Sequence, residues 1–380
     1  MSSALSAVRP VVAYADGPDC AASPPKRFLD GACEVLLGWL PDHRSWLDGE
    51  LRGSTVMAGY ALAAAVADGR LAYLPTRLTG VPRLLEQVRP TVVVVPAVRR
   101  GDELAYTGSV GWAPLVGSVT DRVVVEIDES APDLGAPVIE LAIAATVVAR
   151  RPPAPPPRSE PTDADRQIAD HVLSLLPREA TLQFGPGAVA DAVVRAIDRP
   201  VGVWSGLLTD SVAELAARGL LREPAVGAYV WGGDAIADLC RTGGARLTSI
   251  AETHDPARIA AHSAFVALNT AVQVGLDGAV NVERAGGRLV AGMGGHPDFC
   301  GAAARAPGGL SVIALRSSHL GRSNIVRRVD TVSTPRCDVD VIVTEHGVAD
   351  LRRVDDDERA RRIAAIAAPE HRTELEESQR

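Results

Sequence analysis

The chain has 380 residues, 47% of them hydrophobic but only 4% aromatic, and a formal net charge of −8. That length exceeds one ordinary hydrophobic core, so two domains are expected, with alanine and valine filling much of the interior. The acidic balance offers no electrostatic footprint for nucleic acid, and no apolar run approaches a membrane span.

Lys26 is the only lysine and sits in a proline-rich stretch, which argues against Schiff-base chemistry and against a P-loop. Cys20, Cys33, Cys240, Cys300 and Cys337 are scattered with no C-x-x-C pair, so neither a metal site nor a disulfide framework is expected. A reducing cytoplasm fits best. The first residues show no charged segment leading into a long apolar core, and no signal peptide is expected.

Alanine-rich helices are predicted over 57–68 and 81–88. Buried strands are predicted over 91–95 and 122–127, where β-branched residues run unbroken, as in a parallel sheet covered on both faces. Residues 151–163 hold six prolines and read as a stiff linker between an N-terminal domain, 1–150, and a C-terminal domain, 164–380. Beyond it helices are predicted over 164–176, 189–197 and 211–218. Strands are predicted over 180–184, 201–204, 311–315 and 339–343, and a charged helix over 355–380. Strand and helix alternating at this spacing predict an α/β fold with parallel sheets.

Two glycine turns stand out. In the first, Gly185-Pro186-Gly187-Ala188-Val189 joins a predicted strand to a predicted helix. It fits a relaxed dinucleotide fingerprint, but the strand that follows ends at Ser205 and Gly206 with no acid to hold a ribose, so NAD is not expected. A helix N-terminus presented by two glycines suits a phosphate-bearing ligand; a plain strand-to-helix turn would read the same. In the second, residues 289–299 place Gly292, Gly294 and Gly295 within four positions. Such a loop brings backbone N–H groups close to a ligand and suits phosphates or the oxyanion of a thioester; a tight turn without a ligand is the alternative.

Together with Val343-Thr344-Glu345-His346-Gly347-Val348-Ala349-Asp350-Leu351, the 278–283 segment (Gly-Ala-Val-Asn-Val-Glu) and the 323–326 and 333–336 segments, these turns resemble the acetyl-CoA hydrolase/CoA-transferase family. The similarity runs from about residue 55 onward, and the members of that family include acetate, succinate and 4-hydroxybutyrate CoA-transferases. The resemblance implies tandem α/β domains with the active site between them and coenzyme A as the carried group. It implies an acyl-CoA partner with a small carboxylate acceptor, and a homo-oligomer. It further implies that Gly185, Pro186, Gly187, Ala188, Val189 and Val272 contact CoA. Gly292, Gly294 and Gly295 would complete the pocket, with the Gly295 N–H as oxyanion donor.

One departure bears on mechanism. Family members attack the thioester with a glutamate, and the matching position here is Gly206, between Ser205 and Asp210. Three readings follow: hydrolysis or transfer with another group, transfer with a carboxylate from elsewhere, or a non-catalytic protein that binds CoA or a partner. Candidate bases are Glu345, Asp298, His296 and His346. Glu345 could equally be a structural anchor, and His296 a loop histidine without a chemical role. Asp210 already matches the family's own aspartate, and Cys300 is weighed as a reactive thiol against an inert buried one.

Overall fold

The computed structural model describes residues 9–149 and 160–377. The proline-rich linker predicted over 151–163 lies mostly outside the described residues. Two large sheets organise the chain. The first has the order Leu71–Tyr73, Gly53–Thr55, Glu34–Leu37, Val11–Tyr14, Val92–Arg100, Val123–Asp128, Ile143–Ala149. All these neighbours are parallel, and Glu103–Tyr106 folds back antiparallel on Val92–Arg100. The second has the order Gly202–Val203, Thr181–Phe184, Phe265–Asn269, Leu310–Ala314, Val341–Thr344, Gly347–Asp350, with only the last pair antiparallel.

The central strands are buried along their whole length, as in Val92–Val98 and Val123–Asp128, which is why they lack an alternating pattern. One continuous apolar cluster draws on both sheets, from Val12 and Val93 to Leu182, Leu268 and Val343. The two sheets therefore share an interior.

Local chemistry explains the helix ends. Asp163–Leu175 starts in a capping box: Thr162 Oγ1 accepts from the Asp165 N–H, and the Asp165 carboxylate accepts from the Thr162 N–H. The helix Val81–Val88 falls where the sequence places it.

Two helices differ from expectation. The 57–68 segment forms only a 3-10 turn, Tyr60–Leu62, followed by Ala63–Ala67. Tyr60 takes φ +55°, which interrupts a right-handed helix, and Gly59 lies so close to the Val290 carbonyl that an added Cβ would be 2.5 Å from its oxygen. The single tail helix is instead two, Asp356–Ala365 and Pro369–Glu377. Proline lacks the N–H that would have continued the first.

Candidate active site

The carboxyl ends of strands from both sheets converge on one cavity of about 260 Å³. Ligands characteristically bind in the crevice at such strand ends in open α/β sheets. From the first sheet comes Asp16, just past Val11–Tyr14. From the second come Gly185 and Pro186 after Thr181–Phe184, Ser205 and Gly206 after Gly202–Val203, and Asn269 at the end of Phe265–Asn269. The glycine loop supplies Gly292, Gly294, Gly295 and His296.

Each glycine in the second loop has its own reason. A Cβ on Gly292 would sit 2.6 Å from the Val56 carbonyl oxygen, and its N–H points at Met57 Sδ, 3.0 Å away. That glycine serves packing between the two halves, and its N–H is not directed at a ligand. Gly294 has φ +54°, and its carbonyl accepts from the Leu78 N–H. Gly295 caps the helix His296–Ala303. Its N–H makes no hydrogen bond among the described residues.

The first glycine turn behaves as a helix entry. Gly187 adopts φ +137° and caps Ala188–Ala196, with open space where a Cβ would stand on either Gly185 or Gly187. Val189 and Val272 line a second cavity of about 300 Å³, with Thr270, Arg316 and His319. Of the residues expected to grip CoA, Gly185, Pro186, Gly292, Gly294 and Gly295 line the first cavity and Val189 and Val272 the second, while Gly187 and Ala188 line neither; the two cavities adjoin along the chain at Asn269 and Thr270.

Gly206 is held rigidly. Its carbonyl accepts from the N–H groups of Ala228 and Tyr229, both at 3.0 Å. Around it lie two residues that sequence reasoning missed. A Cβ on Gly206 would be 3.0 Å from His254 Cε1, and one on Gly295 would be 2.4 Å from His254 Nε2. His254 is buried, packs at a tilt against the Phe299 ring at 4.6 Å, and bonds Thr253 Oγ1 through Nδ1 at 2.8 Å. Burial pulls its pKa down to about 3, because a low-dielectric site penalises the charged ring. Asp16 is buried and lines the same cavity, accepting from the Tyr229 hydroxyl at 3.0 and 3.1 Å. Burial raises its pKa to about 7, partly offset by that hydrogen bond.

An aromatic wall completes one side. Trp39 meets Trp231, Tyr229 and Tyr60 edge-to-face at 5.3, 6.0 and 6.2 Å. In a chain with five tryptophans and five tyrosines, two of each gather here. Val56, Met57 and Leu78 continue the apolar lining.

The other candidates are occupied elsewhere. Glu345 accepts from the Ser317 N–H and Oγ at 2.8 and 2.6 Å, which makes it an anchor for that loop, and His346 lies 3.8 Å from it. Asp298 accepts from the Thr79 N–H and hydroxyl. Asp210 accepts from the N–H groups of Gly233 and Ile236 at the start of Asp234–Arg241. Ser205 Oγ donates to the Phe184 carbonyl. Cys300 is buried, its thiol pushed up to about 12 by that burial, so it is the inert alternative. His296 lines the cavity but bonds Thr334 through Nδ1, and its Nε2 is buried with no side-chain partner among the described residues. Burial lowers its pKa to about 4. Among the described residues no group of three or more His, Cys, Asp or Glu side chains is arranged to hold a metal ion, and no helix is long and apolar enough to cross a membrane.

Residues 240–379, which carry the second glycine loop, His254 and the strand-end Asn269, match the acetyl-CoA hydrolase/transferase C-terminal domain. Over 85% of its length the chain is 29% identical to a 4-hydroxybutyrate coenzyme A transferase of Clostridium kluyveri, covering 81% of that protein. It is 25% identical to an acetyl-CoA hydrolase of Eremothecium gossypii, over 85% of this chain and 74% of that one. The fold is that of RipA from Yersinia pestis, with a TM-score of 0.86 and 22% identity over 97% of this chain and 93% of that one. The matched region thus supplies about a third of the cavity's lining residues, and the segments before it supply the rest.

Proposed function

We propose that this chain is an enzyme that binds an acyl-CoA thioester in the cavity and cleaves it, passing CoA to a small carboxylate or releasing it to water. The observation that carries this reading is the convergence of both glycine loops on Gly206 in one cavity. Relatives named as CoA-transferases and acetyl-CoA hydrolases support the substrate class. Gly185, Pro186 and the helix entry at Gly187–Ala188 receive the pantetheine and phosphate end, with Val189 and Val272 along the adjoining cavity. The free N–H of Gly295 faces the developing oxyanion. The apolar wall of Val56, Met57, Leu78 and Trp39 takes the acyl group.

With no side chain at Gly206, the reaction runs without a glutamyl thioester at that position. The setting inferred with it is a cytoplasmic homo-oligomer of two tandem domains, 1–150 and 164–380, needing neither metal nor NAD. The bare Gly206 also favours a second reading, a CoA-binding protein without catalysis. Mixing the pure protein with acetyl-CoA, succinyl-CoA and longer acyl-CoAs, with and without acetate, separates the two. Thiol release or exchange supports the enzyme; CoA affinity without turnover supports the binder. Absence of any CoA affinity by calorimetry refutes both.

A further inference from the structure

The two glycines nearest the expected thioester both abut one side chain. Cβ atoms on Gly206 and Gly295 would stand 3.1 and 2.4 Å from His254 Nε2. That nitrogen has no hydrogen-bond partner among the described residues, although the ring is buried and lines the cavity. Thr253 Oγ1 lies 3.3 Å from the Ser249 carbonyl and 2.8 Å from His254 Nδ1. With its hydrogen given to the carbonyl, the hydroxyl accepts from Nδ1–H, the tautomer that leaves a lone pair on Nε2. The backbone is fixed as well: His254 N–H donates to the Ile250 carbonyl, and the Trp204 indole donates to the Thr253 carbonyl.

We propose that His254 is the general base for a water molecule, its Nε2 taking a proton as that water attacks the thioester carbonyl between Gly206 and Gly295. This rests on the acyl-CoA reading above and makes the reaction hydrolysis. The water oxygen forms the new C–O bond, and the carbonyl π pair moves to its oxygen beside the Gly295 N–H. Collapse of the tetrahedral intermediate breaks the C–S bond. Sulfur leaves with the bonding pair and takes the proton from His254 Nε2. The carboxylic acid then ionises, so the products are a carboxylate, free CoA thiol and one proton.

Burial keeps the resting ring neutral, so its lone pair is available at neutral pH. Its weak basicity rises as the oxyanion forms beside it, since a neighbouring negative charge favours the imidazolium. The same geometry accounts for the glycines. A side chain at Gly295 would collide with the ring, and one at Gly206 would crowd the space assigned to water.

The test uses the whole chain and the acyl-CoA it turns over fastest. In water enriched in oxygen-18, the product carboxylate is expected to gain one labelled oxygen, and thiol release is expected to slow in deuterated water. His254→Gln, which has similar bulk but no proton-accepting nitrogen, is expected to lower thiol release by about 100-fold or more with CoA affinity unchanged. An unchanged rate in His254→Gln, or CoA passing to acetate without label from water, overturns the general base and leaves acyl-CoA cleavage standing. A wild-type protein with no affinity for CoA esters sinks the acyl-CoA reading itself. The deuterium and oxygen-18 results need no variant, so absence of label or of slowing overturns the proposal even where His254→Gln fails to fold.

Discussion

Thr79 bonds Asp298 twice, its N–H donating to one carboxylate oxygen at 3.2 Å and its hydroxyl to the other at 2.7 Å. Thr79 lies in the first half of the chain and Asp298 in the helix that follows the second glycine loop. The bond therefore sets the loop's distance from the first sheet. Arg77 adds a more distant charge at 3.7 Å. Asp298→Ala would leave both Thr79 groups without their partner in a partly buried site. The expected loss of stability is about 1–3 kcal/mol, read as a lower midpoint in urea, with weaker binding of CoA esters. An unchanged midpoint would show that the loop is held by its packing alone.

Gly206→Glu puts a carboxylate at the position that the sequence resemblance assigns to the family's attacking glutamate. A Cβ there stands 3.0 Å from His254 Cε1, so the ring must yield by a few tenths of an ångström. The single variant is expected to fold with a lower melting temperature and to form little borohydride-reducible glutamyl thioester. Combined with His254→Ala, which clears the space, it is expected to form more. Mass spectrometry of the trapped adduct compares them. Equal labelling would show that the imidazole does not oppose the new side chain.

Asp16 has its carboxyl raised from 3.8 to about 7 by burial. The folded state therefore holds this proton between about pH 4 and pH 7 while the unfolded chain releases it. Below that window both states are protonated and the difference vanishes. As pH rises through it, the unfolded state binds fewer protons and folding stability falls. Asp16→Asn cannot ionise and is expected to flatten this part of the stability profile. Denaturant midpoints at pH 4.5 and 7.5 measure it; parallel profiles for the two proteins would mean that Asp16 is ionised throughout.

Glu345 holds Ser317 through both oxygens. Glu345→Gln keeps the shape but loses the charge, at an expected cost of about 1 kcal/mol of stability, with thiol release per folded molecule unchanged. A selective loss of turnover would return this carboxylate to the chemistry.

Much of the fold was legible because its signals are local. Unbroken β-branched runs at 92–95 and 123–125 mark strands covered on both faces. Gly187 and Gly294, with their positive φ, mark backbone that other residues adopt at a cost. The active-site side chains were harder. Asp16, Trp39 and Tyr229 come from segments far apart in the chain, and only the fold joins them. His254 follows an ordinary helix end, with no motif around it, and its part in the site appears only once Gly206 and Gly295 are seen to touch it. The 57–68 helix failed because alanine content signalled helix while contact with the glycine loop demanded a turn at Gly59 and Tyr60.

The edge-to-face cluster at the cavity wall has an optical consequence. Trp39 lines the site and Trp231 touches it at 5.3 Å, so two of the five indoles report on whatever enters. Titration of the unlabelled protein with a CoA ester should change its emission intensity and colour as solvent leaves that wall. The molecule thus carries its own fluorescent gauge of occupancy, and affinities can be ranked across acyl groups before any turnover assay exists.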